Sequence, residues 1–109
     1  RCLCVADVGQ VVNPAGVQAQ LMGGTVDGIS TALGLEITVE DGRVQQTNFD
    51  GYPILRMPDA PFVETHILPS ALTPRGAGEM GIPGAAPALA NAIYAATGRR
   101  LRRLPLRKA

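Results

Sequence analysis

The chain has 109 residues, of which 46% are hydrophobic and only 4% aromatic, and its formal net charge is +1. This length allows one domain with a modest core, or part of one, and excludes an arrangement of several domains. No apolar run approaches the roughly 20 residues of a transmembrane helix, so the sequence predicts no membrane-spanning segment in this chain. Because aromatic residues are scarce, alanine, glycine and short aliphatic side chains must fill the interior.

The charged residues are unevenly distributed along the chain. The first 98 residues hold four basic and nine acidic residues, a net of −5, and we expect residues 98–109 to form a basic tail on this acidic body. A basic tail can bind nucleic acid phosphates, but no aromatic residue is interleaved here for base stacking. Docking on an acidic protein surface is therefore favoured, and a nucleic acid-binding module remains the alternative. The basic tail residues are Arg99, Arg100, Arg102, Arg103, Arg107 and Lys108.

The residues that commonly bind metals are few and scattered. Cys2 and Cys4 would share one face of a strand, and with no other cysteine they indicate neither a disulfide framework nor a zinc site. We interpret them as small core residues. His66 is the only histidine, and no second metal-type ligand lies close to it in sequence, so we expect a residue on a strand surface. The sequence predicts no metal ligated by side chains.

The first half of the chain predicts a strand, a long helix and a hairpin. A strand over residues 3–8 leads to Asn13 and Pro14, a strong helix start, and the helix should extend to about Leu33. Asp41 and Gly42 predict a tight turn between strands at residues 35–40 and 43–49. The apolar stripe of the helix is expected to comprise Val17, Leu21, Thr25, Ile29 and Leu33.

A second stripe on the same helix carries Gln20, Gly24 and Gly28, with Gly23 nearby. Glycine inside a helix costs about 1 kcal/mol relative to alanine, so several together indicate a compensating close contact. That contact could be packing against another helix or a sheet. Alternatively, Gln20 projects its amide across a bare helix surface toward a bound group.

The second half predicts a strand at residues 62–68, an irregular loop at 69–84, and an alanine-rich helix at 85–97 capped by Gly98. Residues 101–106 should form an extended tail docked on the body. The elements together predict an α+β fold in one domain, residues 1–109. It should contain a small antiparallel or mixed sheet of about four strands and two helices, the first glycine-rich and the second alanine-rich.

One carboxylate, Glu79, lies within a run of glycines immediately before the second helix. This run is compatible with a flexible linker that carries a solvated glutamate. It is also compatible with a tight loop that presents Glu79 to a bulky bound group, because glycine lets another surface approach the main chain. The flanking glycines are Gly76, Gly78, Gly81 and Gly84.

Two blocks of sequence, taken together, resemble a known family. The first is Asp7-x-Gly-x-Val-Val-Asn-Pro, followed by Gln20 and the pair Gly23-Gly24, and the second is Gly78-Glu79 followed by Pro-x-x-Ala-Pro-Ala-Leu-Ala-Asn-Ala-Ile. In order and spacing they resemble the C-terminal end of the molybdenum-binding large subunit of the xanthine oxidase and aldehyde oxidase family. Within this family, the isoquinoline 1-oxidoreductase beta subunit is most similar. We therefore expect the chain to be the C-terminal portion of a molybdopterin-binding domain.

The resemblance implies roles for five residues. Glu79 would be the active-site base, Gln20 would hydrogen-bond the oxo group of the molybdenum centre, and Gly23, Gly24 and Gly78 would contact the cofactor. The cofactor implied is molybdopterin cytosine dinucleotide with molybdenum. We expect the loop to bury Glu79 in an apolar pocket, because burial makes a carboxylate a stronger base. The walls of this pocket would be Met80, Ile82 and Pro83.

The chain also departs from the family pattern, with Met80 and Gly84 in place of prolines and Met22 in place of a common glutamate. The functional side chains Gln20 and Glu79 are nevertheless present. The parent protein would hydroxylate an N-heterocycle or an aldehyde with water, and it would occur in the bacterial cytoplasm or periplasm.

The resemblance implies two partners, which are the remainder of the large subunit and a small subunit with two [2Fe-2S] clusters. The isolated chain should be inactive and bind no molybdenum, because it lacks most of the contacts that a pterin dinucleotide needs. A structural piece that forms a homodimer through an exposed apolar face is the further alternative.

Overall fold

A computed structural model describes residues 1–108, with side chains described through residue 107. The fold is α+β, as predicted, and within these residues it contains two α-helices and four short strands. The strands are β1 (Cys2–Ala6), β2 (Val39–Glu40), β3 (Arg43–Val44) and β4 (Val63–Ile67), and the helices are α1 (Pro14–Gly34) and α2 (Ile82–Thr97). Short 3₁₀ turns occupy Met57–Asp59 and Leu106–Lys108.

The four strands form two separate two-stranded sheets in the described chain, whereas the sequence predicted a single sheet. β1 and β4 are parallel, with a register from Cys2 opposite Val63 to Ala6 opposite Ile67. β2 and β3 are antiparallel and pair at only two positions. The parallel pair packs on α1, while the β2–β3 hairpin is exposed on both arms and extends away from that layer.

The hairpin turn forms as predicted, but its strands are much shorter than expected. Asp41 and Gly42 both have positive φ values, 49° and 75°, which is the combination that a type I′ turn requires. Beyond the second pair, the Gln46 side chain accepts a hydrogen bond from the Thr38 backbone N–H at 2.7 Å and donates one to the Thr38 hydroxyl at 2.9 Å. A side-chain bond therefore replaces the strand bond at the Thr38 N–H, while the Thr38 carbonyl still accepts from the Gln45 backbone N–H at 2.9 Å.

Helix α1 begins where the sequence predicted. The Asn13 side chain accepts a hydrogen bond from the Gly16 N–H at 3.2 Å, and Pro14 occupies the first helical position. The Thr25 hydroxyl donates to the Leu21 carbonyl at 2.8 Å, so this polar side chain is buried without an unpaired group. The buried face consists of Leu21, Gly24, Thr25, Gly28, Ile29, Ser30 and Ala32.

The hydrophobic core is small and lies between β1, the start of α1 and the loop before α2. Ala6, Val8 and Leu21 are its buried centre, and Leu21 is fully buried. Half-buried residues pack around this centre, including Cys4.

His66 is exposed on β4 beside Glu64, and His66 Nε2 lies 2.9 Å from Glu64 Oε1. The prediction that His66 lies on a strand surface is therefore confirmed.

The end of the chain folds back on the body. Gly98 adopts the left-handed conformation at φ 72° and caps α2 by donating its N–H to the Tyr94 carbonyl at 2.8 Å, as predicted. Leu106 is buried, and its 3₁₀ turn contacts α1. The predicted docking is thus observed, although the tail finishes in a helical turn instead of remaining extended. Neither described helix is long and apolar enough to cross a membrane.

Candidate functional site

Helices α1 and α2 meet along a seam of glycines where the backbones touch. A β-carbon added at Gly28 would lie 2.7 Å from Ala85 Cβ and 2.7 Å from the Ile82 carbonyl oxygen. One added at Gly81 would lie 2.6 Å from the Thr25 backbone nitrogen. Because real side chains do not tolerate such distances, these positions require glycine for space. The close contact predicted from the glycine stripe is therefore a helix–helix contact.

The seam brings Gln20 and Gly78 together from distant parts of the chain. A β-carbon at Gly78 would lie 3.5 Å from Gln20 Nε2, and one at Gly24 would lie 3.6 Å from the Gly78 carbonyl oxygen. The Gln20 side chain is exposed and makes no hydrogen bond within residues 1–107. Its amide is therefore available to a bound group on the same side as the loop that carries Glu79.

A cleft of about 410 Å³ lies beside Gln20. Val8 and Val17 form part of its apolar wall, and its polar side chains are those of Gln10, Asn13, Gln20 and Arg75. Gly78 also lines the cleft, so the loop that leads to Glu79 borders it, whereas Glu79 is not among the lining residues. A mostly apolar cavity with a few convergent polar groups is typical of a binding site for an organic group.

Glu79 occupies the turn that leads into α2. Its backbone carbonyl accepts a hydrogen bond from the Ile82 N–H at 3.0 Å, which fixes the loop to the helix start. The Glu79 side chain is exposed, and Met80 beside it is 43% exposed. The expectation that Met80, Ile82 and Pro83 bury Glu79 is therefore wrong for this chain alone, since residues 78–80 lie at its surface and Pro83 is itself exposed.

The glycine pair that follows Gln20 divides between two roles. Gly24 is buried, and a β-carbon there would lie 3.4 Å from the Gly81 nitrogen, so it serves helix packing. Gly23 is exposed, and a β-carbon there would meet nothing within 4 Å. Of the pair, only Gly23 presents bare backbone to an external group.

Asp7 holds the turn that precedes the cleft residue Gln10, a role that was not expected from the sequence. The Gly9 N–H donates to Asp7 Oδ1 at 2.9 Å. The pKa of Asp7 is held below its ordinary value by that hydrogen bond, by a second one with the Ser70 side chain and by the nearby Arg75 charge. The Asp-x-Gly spacing is a local signal for the first bond, but nothing in the sequence indicates the contact with Ser70.

The side chains available here suit an organic cofactor better than a directly ligated metal. Through residue 107, no three His, Cys, Asp or Glu side chains cluster closely enough to hold a metal ion. A metal carried by an organic group needs hydrogen-bond donors and room for close approach instead. The Gln20 amide and the surface at Gly78 provide both in one cleft, so these two residues fit a molybdopterin-type cofactor, whereas Gly23 lines a separate pocket with Met22 and Val26.

Comparison with known proteins agrees with this fit. Residues 1–61 match the family described as the molybdopterin cofactor-binding domain. The chain is 38% identical over 109 residues to the beta subunit of isoquinoline 1-oxidoreductase from Brevundimonas diminuta, covering 100% of this chain and 14% of that protein. It is 39% identical over 101 residues to the B subunit of nicotinate dehydrogenase from Pseudomonas putida, covering 92% of this chain and 8% of that protein.

The fold also matches solved structures. Quinoline 2-oxidoreductase from Pseudomonas putida 86 superimposes with a TM-score of 0.77 at 28% identity, over 95% of this chain and 14% of that one. The chain therefore spans only a small part of the length of the relatives it matches, 14% or less in these three cases. The family match over more than half of the chain confirms the resemblance read from the motifs: the chain belongs to the molybdopterin cofactor-binding domain family.

Proposed function

We propose that this chain supplies one side of the active site in the large subunit of a molybdenum hydroxylase. The overall reaction converts a substrate C–H and one water into C–OH, with release of two protons and two electrons. The substrate class is an N-heterocycle or an aldehyde. The observation that supports this proposal best is the contact between Gln20 and Gly78, which places an unpaired amide beside the loop of Glu79.

Glu79 acts as the general base in this proposal. It follows Gly78, and its position is fixed through the Ile82 N–H, so the carboxylate projects from a loop held against α1. A carboxylate exposed to water is a weak base at neutral pH. The rest of the large subunit therefore has to cover Glu79 and exclude water from it, because removal of water strengthens a carboxylate as a base.

Gln20 binds and orients the cofactor. Its amide is neutral at every pH, so it donates a hydrogen bond without competing for the proton that Glu79 accepts. Gly78 allows the close approach of the cofactor to the backbone beside Gln20, and Gly23 offers bare backbone to a more distant part of the cofactor from a separate pocket. Gly24 acts indirectly through helix packing. When bound, the molybdenum cofactor, proposed as the cytosine dinucleotide form, supplies the two-electron oxidation.

The remainder of the large subunit is the proposed occupant of an apolar face on this chain. Leu3 is 63% exposed and Val5 is 52% exposed on β1, which pairs with β4 along one edge only within residues 1–108. Both side chains line a groove of about 470 Å³ that also includes Met80 and Leu89 of the α2 region. Because the chain spans 14% of the isoquinoline relative, most of such a protein lies outside it.

The electrons leave through a small subunit with two [2Fe-2S] clusters in this proposal. The isolated chain is expected to be inactive, to bind no molybdenum, and to associate as a homodimer through the exposed groove. Light scattering and metal analysis of the 109-residue chain test these expectations. Stoichiometric molybdenum on the isolated chain would contradict the proposed division of the site.

Substitution of Glu79 tests the proposal directly in the assembled enzyme. Glu79→Gln should reduce kcat by about a thousandfold or more, because it removes the base while preserving shape and hydrogen bonding. The molybdenum and iron contents should stay at the level of the unmodified enzyme. Glu40→Gln in the exposed hairpin is the matched control and should leave kcat unchanged, and retained turnover in Glu79→Gln would exclude Glu79 from catalysis.

A further inference from the structure

Strand β1 uses only alternate residues to pair with β4. The Cys2 N–H donates to the residue before β4 at 2.8 Å, and the Ala6 carbonyl accepts from the residue after β4 at 2.9 Å. The peptide groups of successive strand residues point to opposite sides of a strand. The main-chain groups of Leu3 and Val5 therefore face the other edge of β1, where no strand lies within residues 1–108.

A groove of about 470 Å³ runs along this free edge. Four consecutive residues, 2–5, line the groove, although their side chains alternate between the two faces of the sheet. A cavity that is lined from both faces of a strand lies beside the strand and not above it. The groove therefore occupies the plane in which a third strand would pair with β1.

The other walls of the groove suit the main chain of a partner. The side chains that α2 contributes are mostly small, including those of Ala85 and Ala88, so a backbone can come close. The polar side chains of the lining are already engaged. Arg1 pairs with Glu64, and the Thr25 hydroxyl donates to a backbone carbonyl of its own helix. The hydrogen-bonding groups that the groove offers to a partner are therefore mainly those of the β1 backbone.

The two edges of the β1–β4 pair are exposed to different extents. On the outer edge of β4, Val63 is 5% exposed and Ile67 packs against the core cluster. On the outer edge of β1, Leu3 is 63% exposed and Val5 is 52% exposed. Parallel sheets are normally covered on both faces, and an unpaired edge is a template for another strand. The β1 edge is therefore the one that lacks a partner.

We propose that the free edge of β1 is a strand-addition site, and that its occupant in the assembled large subunit is a β-strand from the remainder of that subunit. The choice of occupant rests on the proposed function, because this chain spans 14% of the isoquinoline relative and the rest of such a protein lies outside it. Main-chain bonds at Leu3 and Val5 hold the added strand. Its inward side chains are apolar and fill the groove against Ile29 and Ala85.

Amide hydrogen exchange of the assembled enzyme, resolved to single residues, tests the pairing. The Leu3 and Val5 N–H groups should exchange at least about a hundredfold slower than those of an unstructured peptide. Their rates should also come within about tenfold of that of the Cys4 N–H, which faces β4. A loop or helix that only covers the side chains would leave these N–H groups without acceptors. Exchange of both groups at the rate of an unstructured peptide would overturn the proposal.

Two substitutions at one position separate main-chain pairing from side-chain packing. Val5→Pro removes an N–H from the free edge, while the bonds between β1 and β4 use other residues, and proline is tolerated at sheet edges. It should lower the recovery of assembled enzyme about tenfold or more. The matched control Val5→Ala shortens the side chain but keeps the N–H, and should retain more than about half of the recovery.

Equal losses in Val5→Pro and Val5→Ala would show that only apolar packing matters and would overturn the strand addition. Circular dichroism of the 109-residue chain checks that Val5→Pro still folds. If it does not, the exchange rates of Leu3 and Val5 in the unmodified enzyme decide the proposal alone.

Photo-cross-linking identifies the occupant. A photoreactive amino acid in place of Leu3 should form a cross-link to a large-subunit peptide from outside residues 1–109. The same group in place of Glu40, in the exposed hairpin, is the control and should not reach that peptide. A cross-link from position 3 to the small subunit, or to residues 1–109 of a second copy, would overturn the proposed occupant. If Glu79→Gln stays active, the proposed function fails, while the exchange and cross-linking results still decide the strand addition.

Discussion

The glycines of the helix seam and the glycine of the hairpin turn meet opposite demands. At Gly81, the backbone conformation is ordinary, but a β-carbon would lie 2.6 Å from the Thr25 nitrogen. At Gly42, nothing lies within 4 Å of an added β-carbon, but φ is 75°. One position needs space and the other needs a left-handed backbone. The seam therefore couples distant parts of the chain, whereas the turn shapes only its own hairpin.

Gly81→Ala should give the largest effect on folding. The added β-carbon meets backbone atoms of α1, including the Leu21 carbonyl oxygen at 2.7 Å, and these cannot rotate away. We expect a loss of about 3 kcal/mol in the free energy of unfolding, measured by chemical denaturation. Gly23→Ala in α1 is the control and should be neutral or stabilising, because a β-carbon there meets nothing within 4 Å. Equal losses in both variants would refute the space requirement.

Gly42→Ala should have a smaller effect confined to the hairpin. Alanine in the left-handed region costs about 1 kcal/mol, and this strain should appear as weaker pairing of β2 and β3. Chemical shifts of Val39 and Val44 should move, while those of Gln20 and Gly78 stay constant. A change at Gln20 would show that the hairpin and the seam are coupled, contrary to the comparison.

The smallest expected effect is on the free energy of unfolding at acidic pH. The folded-state pKa of Asp7 is lowered by the Gly9 hydrogen bond first, then by Ser70 and Arg75, from an ordinary value of 3.8. A lowered pKa stabilises the fold above 3.8, and this contribution disappears as pH falls through the folded-state value. Denaturation midpoints of the unmodified chain and Asp7→Asn should differ at pH 6 and converge toward pH 2. A constant difference across that range would contradict the ionised role.

The acid titration has a second component on the sheet. The pKa of Glu64 is lowered by its hydrogen bonds with Arg1 and then His66, so its contribution is lost over the same acidic range. Glu64→Gln therefore belongs in the same series, because it separates the contribution of Glu64 on the sheet from that of Asp7. The Asp7 difference should persist in the Glu64→Gln background.

Local features of the sequence predicted the elements with strong boundary signals. Asn13 and Pro14 marked the start of α1 because one caps free N–H groups and the other has the right φ for a first helical residue. Asp41 and Gly42 marked the turn because both tolerate positive φ. The family resemblance was likewise carried by local motifs, and the family match confirms it.

Features that depend on distant contacts were not predictable in the same way. The parallel register of β1 and β4 depends on both strands packing on α1, which strand propensity does not encode. The start of α2 at Ile82, three residues earlier than expected, follows from the contact of Gly81 with α1. The exposure of Glu79 differs from the expectation because apolar neighbours in sequence do not have to enclose a side chain that lies at the surface of the chain.

The contact of Gly24 with the backbone of Gly78 and Gly81 has a consequence for protein engineering. Because two main chains meet there, no side chain at the junction can be shortened. The spacing between the Gln20 amide and the Glu79 carboxylate therefore cannot be adjusted by truncating a side chain. Adding bulk would open the junction, and sliding α1 by one residue would rotate Gln20 by about 100° around the helix axis. Under the proposed function, changes in the preferred substrate are therefore best sought in the walls around this junction, with the junction itself left intact.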